Sequence, residues 1–248
     1  MSGSEKVIAD FVSRRNGVVA GIDMARVVLE EVGLTDIAVL VKDGTAVKAG
    51  DVLMTVRGDT RAILLAERTA LNFLGHLSGI ATLTRTWVDA IAGTSCEIRD
   101  TRKTTPGMRL LEKYAVRMGG GTNHRMSLSD AALIKDNHIA AAGGVSQAFS
   151  KVREKFPTSE IEIEVDTLDQ LREVLPLKPD LVLLDNMSPA LCVEAVSIVA
   201  GATKLEASGG ISLENAKAYA VTGVNYLAIG ALTHSAPVFD IGLDLRAE

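Results

Sequence analysis

Hydrophobic positions along this 248-residue chain follow two different rhythms, and the change between them divides it. Up to about Thr60, short apolar runs are separated by tight turns. Gly17-Val18-Val19-Ala20-Gly21 reads as a strand between glycines, and Asp23 is placed to cap a helix reaching Glu31. Ile37 to Val41 and Val52 to Val56 are further β-type runs, with turns at Lys42-Asp43-Gly44 and Val47-Lys48-Ala49-Gly50-Asp51. Strands in tight succession around one helix predict a small α+β sandwich over residues 1–66. From Ala62 to Ile91 the rhythm lengthens. Leu71, Leu74, Leu77, Ala81, Thr84, Val88 and Ile91 recur at three- and four-residue steps, predicting a long helix whose Gly75 and Gly79 permit close approach.

After that helix a unit repeats: an apolar run, a polar or glycine-rich end, a helical segment. The apolar runs are Glu97-Ile98, Ala132 to Ile134, Ile161 to Val165, Leu181 to Leu184, Lys204-Leu205 and Tyr226 to Ile229, with helices expected at Ser188 to Val199 and Ser212 to Val221. Glu164, Asp185, Ser208 and Gly230 end successive runs at steps of 21, 23 and 22 residues, each one strand plus one crossover helix. This predicts a parallel α/β barrel over residues 67–235. Arg125 to Lys135 is too short for such a unit, so the barrel is expected to be irregular there, with about seven strands instead of eight. The tail 236–248 breaks at Pro237 and is expected to rejoin the small domain.

Composition narrows the functions. Lys and Arg number 26 against 31 Asp and Glu, a net charge of −5, which disfavours general nucleic-acid binding. Cys96 and Cys192 have no metal-type or paired spacing and read as reduced thiols. No apolar stretch reaches membrane-spanning length and no signal peptide is visible, so a cytoplasmic protein is expected. Met1-Ser2-Gly3-Ser4 resembles an appended or alternative start more than structure.

Against this acidic background, positive charge collects at strand ends: Arg102 and Lys103, then His124 and Arg125, then Lys135. In a βα barrel these ends form the active site, and concentrated cations there call for a polyanion. Ordinary solvated loop charges are the plainer reading, and five such groups at successive ends weigh against it. Glu164 and Asp185 fall at other ends, suited to ribose hydroxyls or a diphosphate-bound Mg²⁺. Asp166 is expected on the opposite strand face. Ser208-Gly209-Gly210 and Gly230-Ala231 sit where barrels cradle a phosphate. His76 reads as a packed helix residue, His138 and His234 stay open, and the four histidines lack metal-ligand spacing.

The runs AERTALNFLGHLSGIAT, RDTRKTTPG, KYAVRMGGGTNHR, ALIKDNH, IEVD, LLDN, EASGGI and AIGALTHS, in that order, cover about three quarters of the chain. Together they resemble the quinolinate phosphoribosyltransferases, the carboxylating nicotinate-nucleotide pyrophosphorylases, which are type II phosphoribosyltransferases. The resemblance implies transfer of a phosphoribosyl group from phosphoribosyl pyrophosphate to quinolinate, with decarboxylation to nicotinate mononucleotide. It implies that Arg102, His124, Arg125 and Lys135 hold the quinolinate carboxylates, and that Arg68 reaches that pocket from the partner of a homodimer. Lys103, Glu164 and Asp185 would meet phosphoribosyl pyrophosphate and the Mg²⁺ it carries, with no metal bound directly by the protein. Ser208-Gly209-Gly210 and Ile229-Gly230-Ala231 would hold the 5′-phosphate, and Thr101 and His234 join the substrate contacts. Lys103, Lys135, Glu164 and Asp185 are the implied catalytic set. Family members carry a further N-terminal helix and strand before the part that begins here near Val7. The rival readings are a related phosphoribosyltransferase for another aromatic acid and a non-catalytic phosphate-binding sensor. Arg102, Arg125 and Lys135 favour a dicarboxylate over the first, and Glu164 and Asp185 favour catalysis over the second.

Overall fold

The computed structural model describes residues 6–247, so the expected leader Met1–Ser4 lies outside the described residues. Strands β1 (Lys6–Ser13) and β2 (Gly17–Val18), helix α1 (Ile22–Glu31), and strands β3 (Asp36–Val39), β4 (Ala46–Val47) and β5 (Val52–Asp59) precede the long helix α2 (Thr60–Ala90). Next come β6 (Glu97–Arg99), α3 (Arg109–Met118), β7 (Ala132–Ile134), α4 (Asp136–Ala142) and α5 (Val145–Lys155). Regular alternation follows: β8 (Ile161–Val165), α6 (Leu168–Val174), β9 (Leu181–Asp185), α7 (Pro189–Val199), β10 (Lys204–Ser208), α8 (Ala216–Ala220) and β11 (Tyr226–Ala228). Helix α9 (Ala231–His234) and strand β12 (Ile241–Ala247) close the chain.

The chain forms two compact units. One holds residues up to Thr86, Thr104–Gly121 and the stretch from Ala231; the other holds Trp87–Lys103 and Thr122–Gly230. The domain boundary expected at residues 66 and 67 falls inside α2.

In the first unit, an antiparallel sheet runs in the order β12-β1-β5-β3. Its buried face packs Ala9, Phe11, Leu53, Met54 and Val56 against Ile22 and Leu29 of α1 and Ile63, Ala70 and Leu74 of α2. The central strand β1 was not expected from the sequence. Asp10 interrupts its apolar run, but that carboxylate is satisfied by the Thr55 hydroxyl at 2.7 Å and the Arg246 guanidinium at 2.8 Å. The tail returns to this unit by pairing β12 with β1, and Phe239 N–H donates to the Gly75 carbonyl at 2.9 Å. A Cβ on Gly79 would meet the Pro237 carbonyl, so this helix face needs the glycine.

The cap of α1 differs from expectation. Asp23 sits inside the first turn, and the N-cap is Gly21 in the left-handed region, which has no side chain to offer. Asp43, from the turn before β4, fills the role: its two carboxylate oxygens accept the Gly21 and Ile22 N–H groups, each at 3.0 Å. It also accepts the Tyr114 hydroxyl at 2.7 Å. A distant residue has taken the work of a local cap.

The second unit is built on a parallel sheet of order β6-β11-β10-β9-β8-β7. A seventh position is occupied only by the bridge of Thr122 beside Arg99. Thus the expected count of about seven resolves into six strands and a single-residue bridge. The physical reason is the short stretch between Thr122 and β7, which has no room for a strand and a crossover helix. One face of the strands carries Ile161, Ile163, Val165, Val182, Leu184, Leu205, Ala207 and Leu227, all buried. The alternate positions are mostly polar: Glu162 and Glu164, Asp185, Lys204, Glu206 and Ser208. The barrel interior is therefore a polar site, with the apolar core on the outer face of the strands.

Replacing Asp43 with Ala should lower the unfolding free energy by about 2 kcal/mol, because two helix N–H groups and a phenol lose their acceptor together. Tyr114→Phe should cost about 1 kcal/mol or less. Urea unfolding of both variants checks this; an unchanged midpoint for Asp43→Ala would show that water replaces the cap without loss.

Candidate active site

Strands deliver their interior side chains to one cavity of about 430 Å³ at their C-terminal ends. Thr101, Arg102 and Lys103 reach it from the segment after β6, and His124 and Arg125 from the segment after the Thr122 bridge. Lys135 enters from the end of β7, Glu164 from β8, Asp185 from β9 and Ser208 from β10. Nine of the expected residues thus line one mouth. Gly209 follows Ser208 directly, with φ of +88°, and a Cβ there would collide with the Asn186 side chain. Gly210 is also left-handed, at +63°. Glycine is required at this loop by backbone geometry, consistent with a cradle. Ile229 is buried after β11 and its N–H donates to the Arg99 carbonyl at 2.8 Å, which fixes the path into Gly230. Arg68, Ala231 and His234 belong to the first unit.

The electrostatics fit an anion. Burial lowers the affinity of the Arg125 guanidinium for its proton, and the neighbouring Arg102 charge lowers it further. Arg102 Nε is buried without a hydrogen-bond partner. Glu162 and Asp130 already offset part of the repulsion between these two guanidiniums, and an added anion would relieve the rest. Lys135 Nζ lies 2.9 Å from Glu164 Oε2, an ion pair that spans the mouth from its cation side to its carboxylate side. Its backbone N–H donates to His138 Nδ1 at 3.0 Å, so His138 helps close the turn that starts α4.

Asp166 needs correction. Two residues beyond Glu164, the pleat returns it to the same face, and carboxylate oxygens of Glu164, Asp166 and Asp185 lie within 4.8 Å of one another. His76, expected to be a packed helix residue, also makes a specific bond, 2.9 Å from Glu112 Oε1 within the first unit. His234 is exposed and bonds Ser235 at 2.7 Å.

The sequence reading missed a buried layer below this mouth. Arg99 Nη1 donates to Glu206 Oε2 at 2.8 Å, and His124 Nε2 lies 2.6 Å from Glu162 Oε2. Asp100, fully buried, accepts the His124 N–H at 2.8 Å and so fixes the chain where His124 and Arg125 leave it. The available signal was a charged residue alternating with apolar ones: Glu162 in IEIEV, Glu206 in KLEAS, Arg99 in EIR. Burial pushes the Glu206 carboxyl up to about 7, helped by the Glu162 charge and opposed by His124 and Arg99.

The comparisons with known proteins bear on the same residues. The quinolinate phosphoribosyl transferase C-terminal domain matches residues 80–244, and the N-terminal domain of that family matches residues 1–78. This chain belongs to the quinolinate phosphoribosyl transferase family. Nicotinate-nucleotide pyrophosphorylase (carboxylating) of Mycobacterium leprae is 53% identical over 96% of this chain and 86% of its own length. The probable enzyme of the same name from Bacillus subtilis is 42% identical over 98% and 85%. Among solved structures, nicotinate-nucleotide pyrophosphorylase from Ehrlichia chaffeensis superimposes with a TM-score of 0.94 at 41% identity, covering 98% of this chain and 89% of that one. As a quinolinate phosphoribosyl transferase family fold, the chain pairs an α/β barrel with a small α+β domain. Among the described residues no helix is long and apolar enough to cross a membrane, and both cysteines are buried free thiols.

The raised Glu206 carboxyl has a measurable consequence. A group whose folded value lies above its unfolded one, here about 7 against 4.5, contributes stability fully present below pH 4.5 and lost as pH rises through 7. Glu206→Gln removes that dependence. Urea unfolding between pH 4.5 and 8 should therefore show wild type losing stability relative to Glu206→Gln; parallel curves would mean the carboxyl titrates normally.

Proposed function

We propose that this protein transfers the phosphoribosyl group of phosphoribosyl pyrophosphate to quinolinate and decarboxylates the product to nicotinate mononucleotide, releasing pyrophosphate and CO₂. The observation that carries this reading is the single cavity in which Arg102, Lys103, Arg125 and Lys135 face Glu164 and Asp185 above a Ser-Gly-Gly turn. The family relationship supports it over a sensor or a phosphoribosyltransferase for another acid. The place of this step is de novo NAD synthesis. The buried thiols agree with a cytoplasmic setting.

In this reading the guanidiniums of Arg102 and Arg125, with His124 and Lys135, neutralise the two ring carboxylates and orient the ring nitrogen toward the sugar. The Arg102 Nε that lacks a partner is one donor such a ligand would satisfy. Lys103 meets the diphosphate, Thr101 the substrate beside it, and the 5′-phosphate rests on the Ser208-Gly209-Gly210 turn and on Ile229-Gly230-Ala231. His234 is a further substrate contact. Glu164 and Asp185 stabilise positive charge developing at the anomeric carbon and steer the ribose hydroxyls. The neighbouring carboxylates fit Mg²⁺ carried in on the diphosphate, which supplies charge neutralisation of the leaving group. As the C–O bond to pyrophosphate breaks, the ring nitrogen forms the new bond at the anomeric carbon. Charge placement serves throughout, with no covalent nucleophile. The catalytic unit is a homodimer, with Arg68 completing the partner's site.

Nicotinate lacks the 2-carboxylate and would leave that set of cations unpaired, so its kcat/KM should fall about a thousandfold or more below that of quinolinate. Steady-state assay with both acids decides; equal turnover rejects a dicarboxylate site. The shared site has its own test. Arg68→Ala and Lys135→Ala should each be inactive, and mixing them under subunit exchange should restore about a quarter of wild-type activity, since half the dimers are mixed and half of their sites intact. Because Lys135 is half exposed, its loss should cost about 1 kcal/mol of stability or less. No recovery after confirmed exchange would place Arg68 in its own subunit's site.

A further inference from the structure

A second cavity, of about 530 Å³, lies at the opposite end of the barrel strands. Glu160, Asp180, Lys204 and Tyr226 line it at the strand entries. His124 and Arg125 line both cavities, Glu162 lines this one and Glu206 the mouth, so a buried layer lies between the two. That layer holds Glu206, 1% exposed, Glu162, 6%, and His124, 7%. Each is tied to another: Arg99 to Glu206 at 2.8 Å, and His124 Nε2 to Glu162 at 2.6 Å and to Glu206 Oε1 at 4.0 Å. Glu162 Oε1 is buried without a hydrogen-bond partner. Tyr226 stacks on Arg99, 4.3 Å from guanidinium carbon to ring centre.

Two buried acids directly beneath a mouth that gathers anions are the wrong sign for binding. Neither is required to hold a carboxylate or a phosphate, and each ionised carboxylate there repels the ligand above it. Glu206 also lines the mouth itself. An acid that reaches the mouth and stays uncharged when the mouth is loaded is suited to give up a proton.

We propose, on the reading of the mouth as a quinolinate site, that Glu206 delivers the proton to ring carbon C2 when the 2-carboxylate leaves, and is refilled through His124 from water in the second cavity. The bond from C2 to its carboxylate breaks, and its electron pair stays on C2 beside the positively charged ring nitrogen while CO₂ departs. That pair takes the Glu206 carboxyl proton. Glu206 becomes a carboxylate paired to Arg99, and a proton from cavity water restores it. Charged or titratable groups that act on it or on its partners include Arg99 from β6, His124 from the segment after Thr122, Glu162 from β8, Tyr226 from β11, and the buried Cys96 thiol just before β6. The upward displacement of its carboxyl, to about 7 through burial and the Glu162 charge, keeps a large fraction of it protonated near neutral pH. Without a prompt proton, the C2 electron pair recaptures CO₂, so the acid commits the step.

Single-turnover reactions with quinolinate labelled in its 2-carboxylate and phosphoribosyl pyrophosphate separate this step from transfer. In wild type, pyrophosphate and labelled CO₂ should appear together. Glu206→Gln keeps the shape and the Arg99 hydrogen bond but has no proton to give. Pyrophosphate release should stay within about threefold of wild type, CO₂ release should slow at least tenfold, and the carboxylated nucleotide should accumulate. If that variant does not fold, Glu206→Asp, which retains an acid set back by one methylene, should show the same separation to a smaller degree. Pyrophosphate and CO₂ released in step by either folded variant, at whatever rate, overturns the role of Glu206 and leaves the functional reading intact. A wild-type protein that releases neither product overturns that reading and this inference with it.

Discussion

Charge buried inside the barrel is the constraint on which the rest of this structure depends. The part-buried Arg99 and the buried His124, Glu162 and Glu206 occupy positions that a barrel ordinarily fills with branched apolar side chains. None is tolerable alone at that depth, and each is held by another across strands: β6 to β10, and the segment after Thr122 to β8. Burial acts against the Arg99 charge, and Glu206 outweighs it, leaving its guanidinium more firmly protonated than usual. Removing one member would strand its partner. The strand register is therefore enforced from inside by electrostatics as well as from outside by the Ile, Val and Leu face.

That inner layer also sets the geometry of the mouth. His124 and Arg125 emerge from a stretch with almost no regular structure, yet Asp100 and Glu162 fix its backbone and its imidazole. Arg102 and Arg125 are thereby held close enough to perturb one another before any ligand arrives. Such a mouth is organised in advance, and the repulsion stored in it is relieved by the dianion it is proposed to bind. Across the opening, Glu164 and Asp185 come from neighbouring parallel strands, so their separation is set by sheet register, not by flexible loops.

Much of the barrel was legible in the sequence because parallel strands covered by helices on their outer face keep short apolar runs at a regular step. Ile161–Val165 and Ala132–Ile134 emerge with the bounds that the apolar runs predict. The small unit was less legible. Strand β1 was hidden by Asp10, a charge that a distant Arg246 and the Thr55 hydroxyl make acceptable, and the cap of α1 came from Asp43, not from the nearby Asp23. Asp166 was misplaced through strand parity alone: a residue two positions along returns to the same face.

By itself the sequence determined that Glu164, Asp185 and Ser208 stand at successive strand ends, since strand-end position and the spacing of about 22 residues follow from local pattern and chain connectivity, while Glu206 reaches the mouth from within its strand and was not legible. It determined the glycine turn after Ser208 as well, because a left-handed backbone excludes most side chains. Only the tertiary structure decided how Arg99, Glu162, Glu206 and His124 pair, and that Glu206 holds its proton near neutrality. Those properties depend on desolvation and on distances between residues as much as 107 positions apart. Neither quantity is written in any local pattern, because burial is a property of the assembled sheet.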